Sequence, residues 1–133
     1  MATERFIDVG GLRTRVLEEG SGHATLLLHG ASLGSSSDVW AGNLDALAAR
    51  GLRVIAPDLP GFGETTNSAD HSVGFRTRFV LQLLDALGID RARIRGWGVT
   101  QAVLSAWWSI EDSGYGWEDT VACAELLAAV KAT

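Results

Sequence analysis

The strongest indication of the fold lies in Val54–Thr65, with the sequence VIAPDLPGFGET. It opens with an apolar run ending at Pro57, which is typical of a strand covered on both faces of a sheet. A loop follows directly, and its Gly61 and Gly63 are predicted to be turn residues with positive φ. The stretch therefore predicts one buried strand and the loop at its carboxyl end.

Upstream of this stretch the sequence predicts a hairpin, a strand and a helix. Two segments of alternating apolar and polar residues flank Gly10-Gly11, which indicates a β-hairpin. The apolar run Thr25–His29 predicts a second buried strand. Asp38 is predicted to be the N-cap of a helix that runs to about Ala49.

Downstream, the pattern predicts a second helix and a third strand. Asp70 or Ser72 is expected to cap a helix over about residues 73–87, whose large apolar side chains recur every four residues before Gly88. Arg91–Arg95, RARIR, is predicted to be a short basic strand. Strands that alternate with helices indicate an α/β fold: an N-terminal hairpin and a mostly parallel sheet with flanking helices.

Composition excludes several classes of protein. The 133 residues carry a net charge of -5 with a pI near 5.0, and no Lys/Arg cluster interleaves with aromatic residues, so we expect no nucleic-acid partner. We find neither a signal-peptide pattern nor an apolar run long enough to span a membrane. Cys123 is the only cysteine, which excludes an intrachain disulfide and a cysteine-based zinc site. The expected location is the cytoplasm, with no membrane partner.

Several segments, in a fixed order, carry a family resemblance. They are LLLHG (Leu26–Gly30), VIAPDLPGFGET (Val54–Thr65), LLDALGID (Leu83–Asp90) and Gly96. With these segments, residues 1–97 resemble the N-terminal half of the α/β-hydrolase fold, and are most similar to its ester, carbon–carbon-bond, epoxide and haloalkane hydrolases. The resemblance implies a truncated α/β-hydrolase fold, in which residues 98–133 form a divergent, mainly helical segment of one overall domain.

The resemblance also implies a site. Gly30 and Ala31 follow the predicted strand, and the backbone N–H groups of Ala31 and Val99 would be the two oxyanion donors. His29, Asp58 and Gly96 are expected to be structural residues near the site, with Asp58 tying down its loop. The implied reaction is hydrolysis of a small, ester-like or largely apolar substrate through a covalent intermediate. It implies no cofactor and no metal.

The segment Ile94–Val103, IRGWGVTQAV, has the outline of a nucleophile elbow but lacks the nucleophile. In the motif Gly-x-nucleophile-x-Gly, the spacing places Gly96 first, Gly98 at the nucleophile position and Thr100 where the second glycine belongs. An alternative alignment places Gly96 at the nucleophile position. Neither alignment supplies a nucleophile, so we predict no catalytic residue in this chain.

The other parts of a catalytic triad are also missing. In this fold the acid and the histidine follow the elbow, whereas all three histidines precede it: His23, His29 and His71. Without a downstream histidine to accept the proton, a hydroxyl group is a poor nucleophile. This argues against the hydroxyl groups that follow the elbow, those of Thr100, Ser105 and Ser109.

One hypothesis is that the chain is an incomplete or frameshifted hydrolase. Tryptophans concentrate and arginines vanish after residue 95, and Arg95 itself falls in a strand that should be buried. Moreover, codons for Gly98–Ala106, GVTQAVLSA, can be chosen so that the same bases, read two nucleotides on, encode Gly-His-Ser-Gly-Gly-Ala-Ile-Gly. That is a serine elbow.

Two other hypotheses remain open. The chain is a non-catalytic module that binds a small apolar ligand or a partner chain, or it is a minimal enzyme with an unrecognised site. A parallel sheet that ends at its central strand would leave an exposed edge, which predicts aggregation or a homo-oligomer. A purpose-built small module should instead melt cooperatively as a monomer.

Overall fold

The computed structural model describes residues 1–30 and 32–92, together with isolated positions between 111 and 129. The chain divides into two compact units, Met1–Ile89 and Asp90–Thr133. The first unit contains the sheet and its helices. In the second, the described positions between 118 and 129 are helical, as expected for a mainly helical segment. In the described part of the chain, no helix is both long and apolar enough to cross a membrane.

The predicted hairpin is confirmed. Strand β1 (Thr3–Val9) pairs antiparallel with β2 (Leu12–Glu19), with Val9 opposite Leu12. Gly10 and Gly11 join them with φ values of 58° and 87°. Because residues with a Cβ rarely adopt positive φ, two consecutive glycines suit this tight turn.

Two further strands complete a mixed sheet in the described residues. Strand β3 (His23–Leu26) pairs parallel with β4 (Leu52–Pro57), β4 pairs antiparallel with β2, and the strand order is β1-β2-β4-β3. The strand predicted at Thr25–His29 thus begins two residues earlier and ends at Leu26. The amide of Leu27 still donates to the carbonyl oxygen of Ile55 at 2.8 Å. The ring of His29 instead accepts a hydrogen bond from the amide of Leu59, in the loop after β4.

The first helix begins differently from the prediction. A single 3₁₀ turn covers Ser37–Trp40 and leads into α1 (Ala41–Ala48). Asp38 is not the N-cap, because its carboxylate pairs with a distant arginine. Ser36 takes the capping position instead, and its Oγ accepts from the amide of Asp38.

The second helix confirms one of the two predicted caps. Helix α2 (Val73–Ala86) has Ser72 as its N-cap, and the Ser72 Oγ accepts from the amide of Phe75 at 3.1 Å. After Gly88, the strand predicted at Arg91–Arg95 is contradicted at its first two residues, which are helical; residues 93–95 lie outside the described part of the chain.

The helices pack on opposite faces of the sheet. Side chains alternate between faces along a strand, so Val16 and Leu17 enter two different clusters. The cluster with α2 contains Val9, Val16, Ile55, Phe79, Leu83 and Leu87. The cluster with α1 contains Leu17, Leu44, Val54 and Ala56. A sheet covered on both faces agrees with the predicted α/β class.

Candidate functional site

The candidate site lies at the carboxyl ends of β3 and β4. Because these neighbouring strands are parallel, the loops that follow them emerge at the same edge of the sheet. The first loop, here named the β3 loop, runs from residue 29 to residue 37, where the 3₁₀ turn begins. Residues 58–66 form the second loop, here named the β4 loop. Asp58 and Leu59, consecutive in the β4 loop, hold the two ends of the β3 loop.

His29 holds the first end. Its Nε2 accepts from the amide of Leu59 at 2.9 Å, and its Nδ1 lies 2.7 Å from the carbonyl oxygen of Gly30. An amide can only donate, so Nε2 presents its lone pair and Nδ1 carries the hydrogen that Gly30 accepts. The ring is buried and meets Phe62 edge-on, with centroids 5.2 Å apart. Both ring nitrogens are therefore engaged by backbone.

Asp58 holds the second end. Its carboxylate is fully buried and accepts from the amide and hydroxyl of Ser37 at 2.7 and 2.6 Å, and from the amide of Glu64 at 2.9 Å. Burial acts to raise the pKa of Asp58, but the bonds from Ser37 and Glu64, together with the charge of Arg15, outweigh it and lower that pKa. The group is thus a carboxylate that anchors both loops.

The two glycines of the β4 loop have positive φ, as predicted, with φ of 83° at Gly61 and 52° at Gly63. Gly63 also permits a close approach: a Cβ atom there would lie 2.0 Å from Oδ2 of Asp58. At Gly61 a Cβ atom would lie 2.5 Å from Oδ1 of Asn67. Gly63 therefore lets the loop backbone close around the carboxylate of Asp58, and Gly61 leaves room for the side chain of Asn67.

Arg15 of β2 joins this arrangement and was not anticipated from the sequence. Only 8% of it is exposed. Its guanidinium contacts Asp38 through both Nη atoms at 3.2 and 3.0 Å, Asp58 at 3.4 Å and Glu4 at 2.6 Å. Hydrogen bonding to Asp38, foremost, raises the pKa of Arg15. The sequence signal was weak: Arg15 is one of two basic residues in a strand of mixed apolar and polar residues.

Backbone bonds extend the link between Arg15 and the β4 loop. The amide of Asp58 donates to the Arg15 carbonyl at 2.9 Å, and the Arg15 amide donates to Oγ1 of Thr65 at 3.0 Å. Farther on, the amide of Thr66 donates to the carbonyl of Arg13.

Within the described residues, no group of three or more His, Cys, Asp or Glu side chains could hold a metal ion.

The structure brings together some of the predicted site residues. His29, Gly30 and Asp58 lie at this edge of the sheet, and Gly30 is exposed with open space where a Cβ would be. The other predicted positions lie outside the described residues: Ala31, Gly96, Gly98 and Val99 among the site residues, and Arg95, Thr100, Ser105 and Ser109 among the residues weighed with them.

Comparisons with known proteins agree with this geometry. The family model of the alpha/beta hydrolase fold matches residues 24–97. An epoxide hydrolase from Caballeronia sordidicola is 38% identical over 104 residues, covering 74% of this chain and 31% of that protein. A 2-hydroxy-6-oxo-6-(2'-aminophenyl)hexa-2,4-dienoic acid hydrolase from Metapseudomonas resinovorans is 36% identical over 88 residues, covering 65% of this chain and 30% of that protein.

A solved structure shows the same likeness. The crystal structure of an epoxide hydrolase from Vigna radiata matches with a TM-score of 0.62 and 30% identity, over 67% of this chain and 30% of its own. The chain therefore belongs to the α/β-hydrolase fold family. It spans about a third of the length of the curated relatives it matches.

Proposed function

We propose that this chain is the N-terminal part of a hydrolase that acts on a small, ester-like or largely apolar substrate through a covalent intermediate. Its similarity to an epoxide hydrolase and to a 2-hydroxy-6-oxo-6-(2'-aminophenyl)hexa-2,4-dienoic acid hydrolase supports hydrolysis of a small organic substrate. In this proposal the enzyme uses no cofactor and is located in the cytoplasm. The anchored β3 loop is the observation that carries it.

The anchoring of the β3 loop supports an oxyanion site. The carbonyl of Gly30 is held by Nδ1 of His29. The amide of the next residue, Ala31, is the first oxyanion donor in this proposal. A fixed amide at the carboxyl end of a strand is the type of donor that stabilises a developing oxyanion. The second donor in this proposal is the amide of Val99.

We expect no turnover from these 133 residues. Gly98 stands at the nucleophile position, and no histidine follows His71 in the sequence. His29 does not supply the missing base, because both of its ring nitrogens are engaged by backbone groups. A chain with neither nucleophile nor base lacks the two groups that form and resolve a covalent intermediate.

The test is hydrolysis of p-nitrophenyl acetate and of styrene oxide by the purified protein. We expect rates equal to those of the heat-denatured protein. Saturable turnover that Gly98→Ala or Thr100→Ala abolishes would contradict the expectation that this chain is inactive on its own. The matched control is Gly34→Ala, a glycine in the β3 loop with open space around it.

The second candidate is a non-catalytic module that binds a small ligand or a partner chain. Exposed apolar side chains at and near the β3 loop favour it: Leu28 is 41% exposed and Leu33 is fully exposed. A monomer that melts cooperatively and binds an apolar dye saturably would support this module. A homo-oligomer or aggregate that grows with concentration would instead support a sheet with an unsatisfied edge.

A further inference from the structure

The guanidinium of Arg15 lies between the carboxylates of Asp38 and Asp58. The amide and hydroxyl of Ser37 donate to the buried Asp58, and the next residue, Asp38, has its carboxylate against the same guanidinium. Arg15 contacts both, with Nη1 3.2 Å from Asp38 and 3.4 Å from Asp58. A cation between two anions removes the repulsion that would otherwise separate them.

The groups around this guanidinium come from each element packed against it. Glu4 faces it from β1, Asp38 and the Ser37 hydroxyl from the 3₁₀ turn, and Asp58 from the β4 loop. The two aspartates differ in freedom, because the side chain of Asp38 is 62% exposed and that of Asp58 is fully buried. Arg15 is the residue that bridges the exposed carboxylate of Asp38 and the buried carboxylate of Asp58.

We propose that Arg15 is a positioning residue for the β3 loop: its charge holds the Ser37 end of that loop against Asp58, and removing the charge releases the loop while the sheet stays intact. The inference rests on the proposed function insofar as the β3 loop carries the oxyanion donor. His29 fixes the other end of the loop through Leu59, independently of the arginine. Arg15 therefore acts on the site through the loop, without touching the substrate.

The experiment is residue-resolved amide hydrogen exchange on the 133-residue protein and its Arg15→Met variant. We expect the amides of Ser37 and Glu64, both bonded to Asp58, to exchange about tenfold faster in the variant, as for loss of a charge-assisted bond. The amide of Leu27, bonded to Ile55 in the sheet, should keep its wild-type rate. The matched control is Arg53→Met, since Arg53 pairs with Glu18 and the Leu87 carbonyl elsewhere.

A second readout separates charge from packing. Hydrogen bonding to Arg15 is the main cause of the lowered pKa of Asp38. In Arg15→Met the Asp38 carboxyl, followed by NMR, should titrate closer to its ordinary value of 3.8. Arg15→Lys keeps the charge and should restore part of the difference. If Arg15→Met does not fold, Asp38→Asn tests the same link and should accelerate exchange at Ser37.

Three results would overturn the inference. They are unchanged exchange at Ser37 and Glu64 in a folded Arg15→Met or Asp38→Asn variant, acceleration that extends equally to Leu27, and an Asp38 titration that does not move. None of these measurements involves turnover. Failure here therefore leaves the proposed hydrolase function to its own assay, and failure of that assay leaves the role of Arg15 intact.

Discussion

The carboxylate of Asp58 occupies the space beside Gly63 so closely that a Cβ atom on Gly63 would lie 2.0 Å from its Oδ2. The amide of the next residue, Glu64, donates to that same oxygen at 2.9 Å. The backbone of the β4 loop therefore packs closely around the buried carboxylate of Asp58, and this close packing requires a residue without a Cβ at position 63. This relationship links a glycine in the sequence motif to the anchor of both loops.

Gly63→Ala is expected to destabilise the protein by about 2–4 kcal/mol, because a methyl group must displace Asp58 from its donors and φ is positive there. Urea unfolding measures the difference. Gly34→Ala is the matched control: Gly34 also has positive φ, at 80°, but nothing lies near its absent Cβ. Equal losses in the two variants would show that backbone conformation alone, rather than the contact with Asp58, sets the requirement for glycine.

His29→Leu is expected to cost about 1–3 kcal/mol of folding free energy, because the partly buried amide of Leu59 loses its acceptor. Thermal unfolding followed by circular dichroism checks this. The comparison is His71→Leu at an exposed position, which should change stability by less than about 0.5 kcal/mol. A His29→Leu variant as stable as the wild type would show that the Leu59 bond contributes nothing to folding.

Stability is expected to fall in acid because Asp58 and Asp38 have pKa values below their ordinary value of 3.8. The folded protein then holds these protons less tightly than the unfolded chain does, so the stabilisation is present above about pH 4 and is lost as pH falls through the folded-state pKa values. Urea unfolding midpoints measured across this range test it. Asp58→Asn should be less stable at neutral pH and should lose less on acidification; an identical pH profile would exclude Asp58 as the source.

Ser72→Ala is expected to destabilise the protein by about 1 kcal/mol, since the amide of Phe75 loses the oxygen that caps α2. Ser72→Asp keeps an acceptor at the same position and should restore most of the loss. Chemical unfolding of the three proteins measures both effects. If aspartate restores nothing, the serine acts through some property other than capping.

Local signals in the sequence predicted the hairpin and α2 correctly. The consecutive glycines Gly10 and Gly11 suit a tight turn, and Ser72, one of the two predicted caps, directly precedes the first residue of α2. Strand β4 was equally clear, because its apolar run ends where the β4 loop begins. In each case, residues close in sequence determine the structure.

Partners distant in sequence explain what the sequence did not show. Asp38 looked like a helix cap, but the guanidinium of Arg15, 23 residues away, binds its carboxylate and leaves the capping position to Ser36. The anchoring of the β3 loop likewise depends on distant contacts: Ser37 and Asp58 are 21 residues apart, and His29 and Leu59 are 30 residues apart. Composition and hydrophobic periodicity do not indicate which distant residues form hydrogen bonds. The anchoring of the site could therefore not be predicted from them.

The central claim is that the chain is the N-terminal part of a catalytic hydrolase, and the nucleotide sequence of codons 85–133 and the DNA downstream tests it most directly. The account predicts that one reading frame encodes Gly-x-nucleophile-x-Gly at the elbow, followed by an acid and a histidine at later strand ends. If no frame encodes them, the glycine at position 98 is native. That result would contradict the claim and favour the non-catalytic binding module.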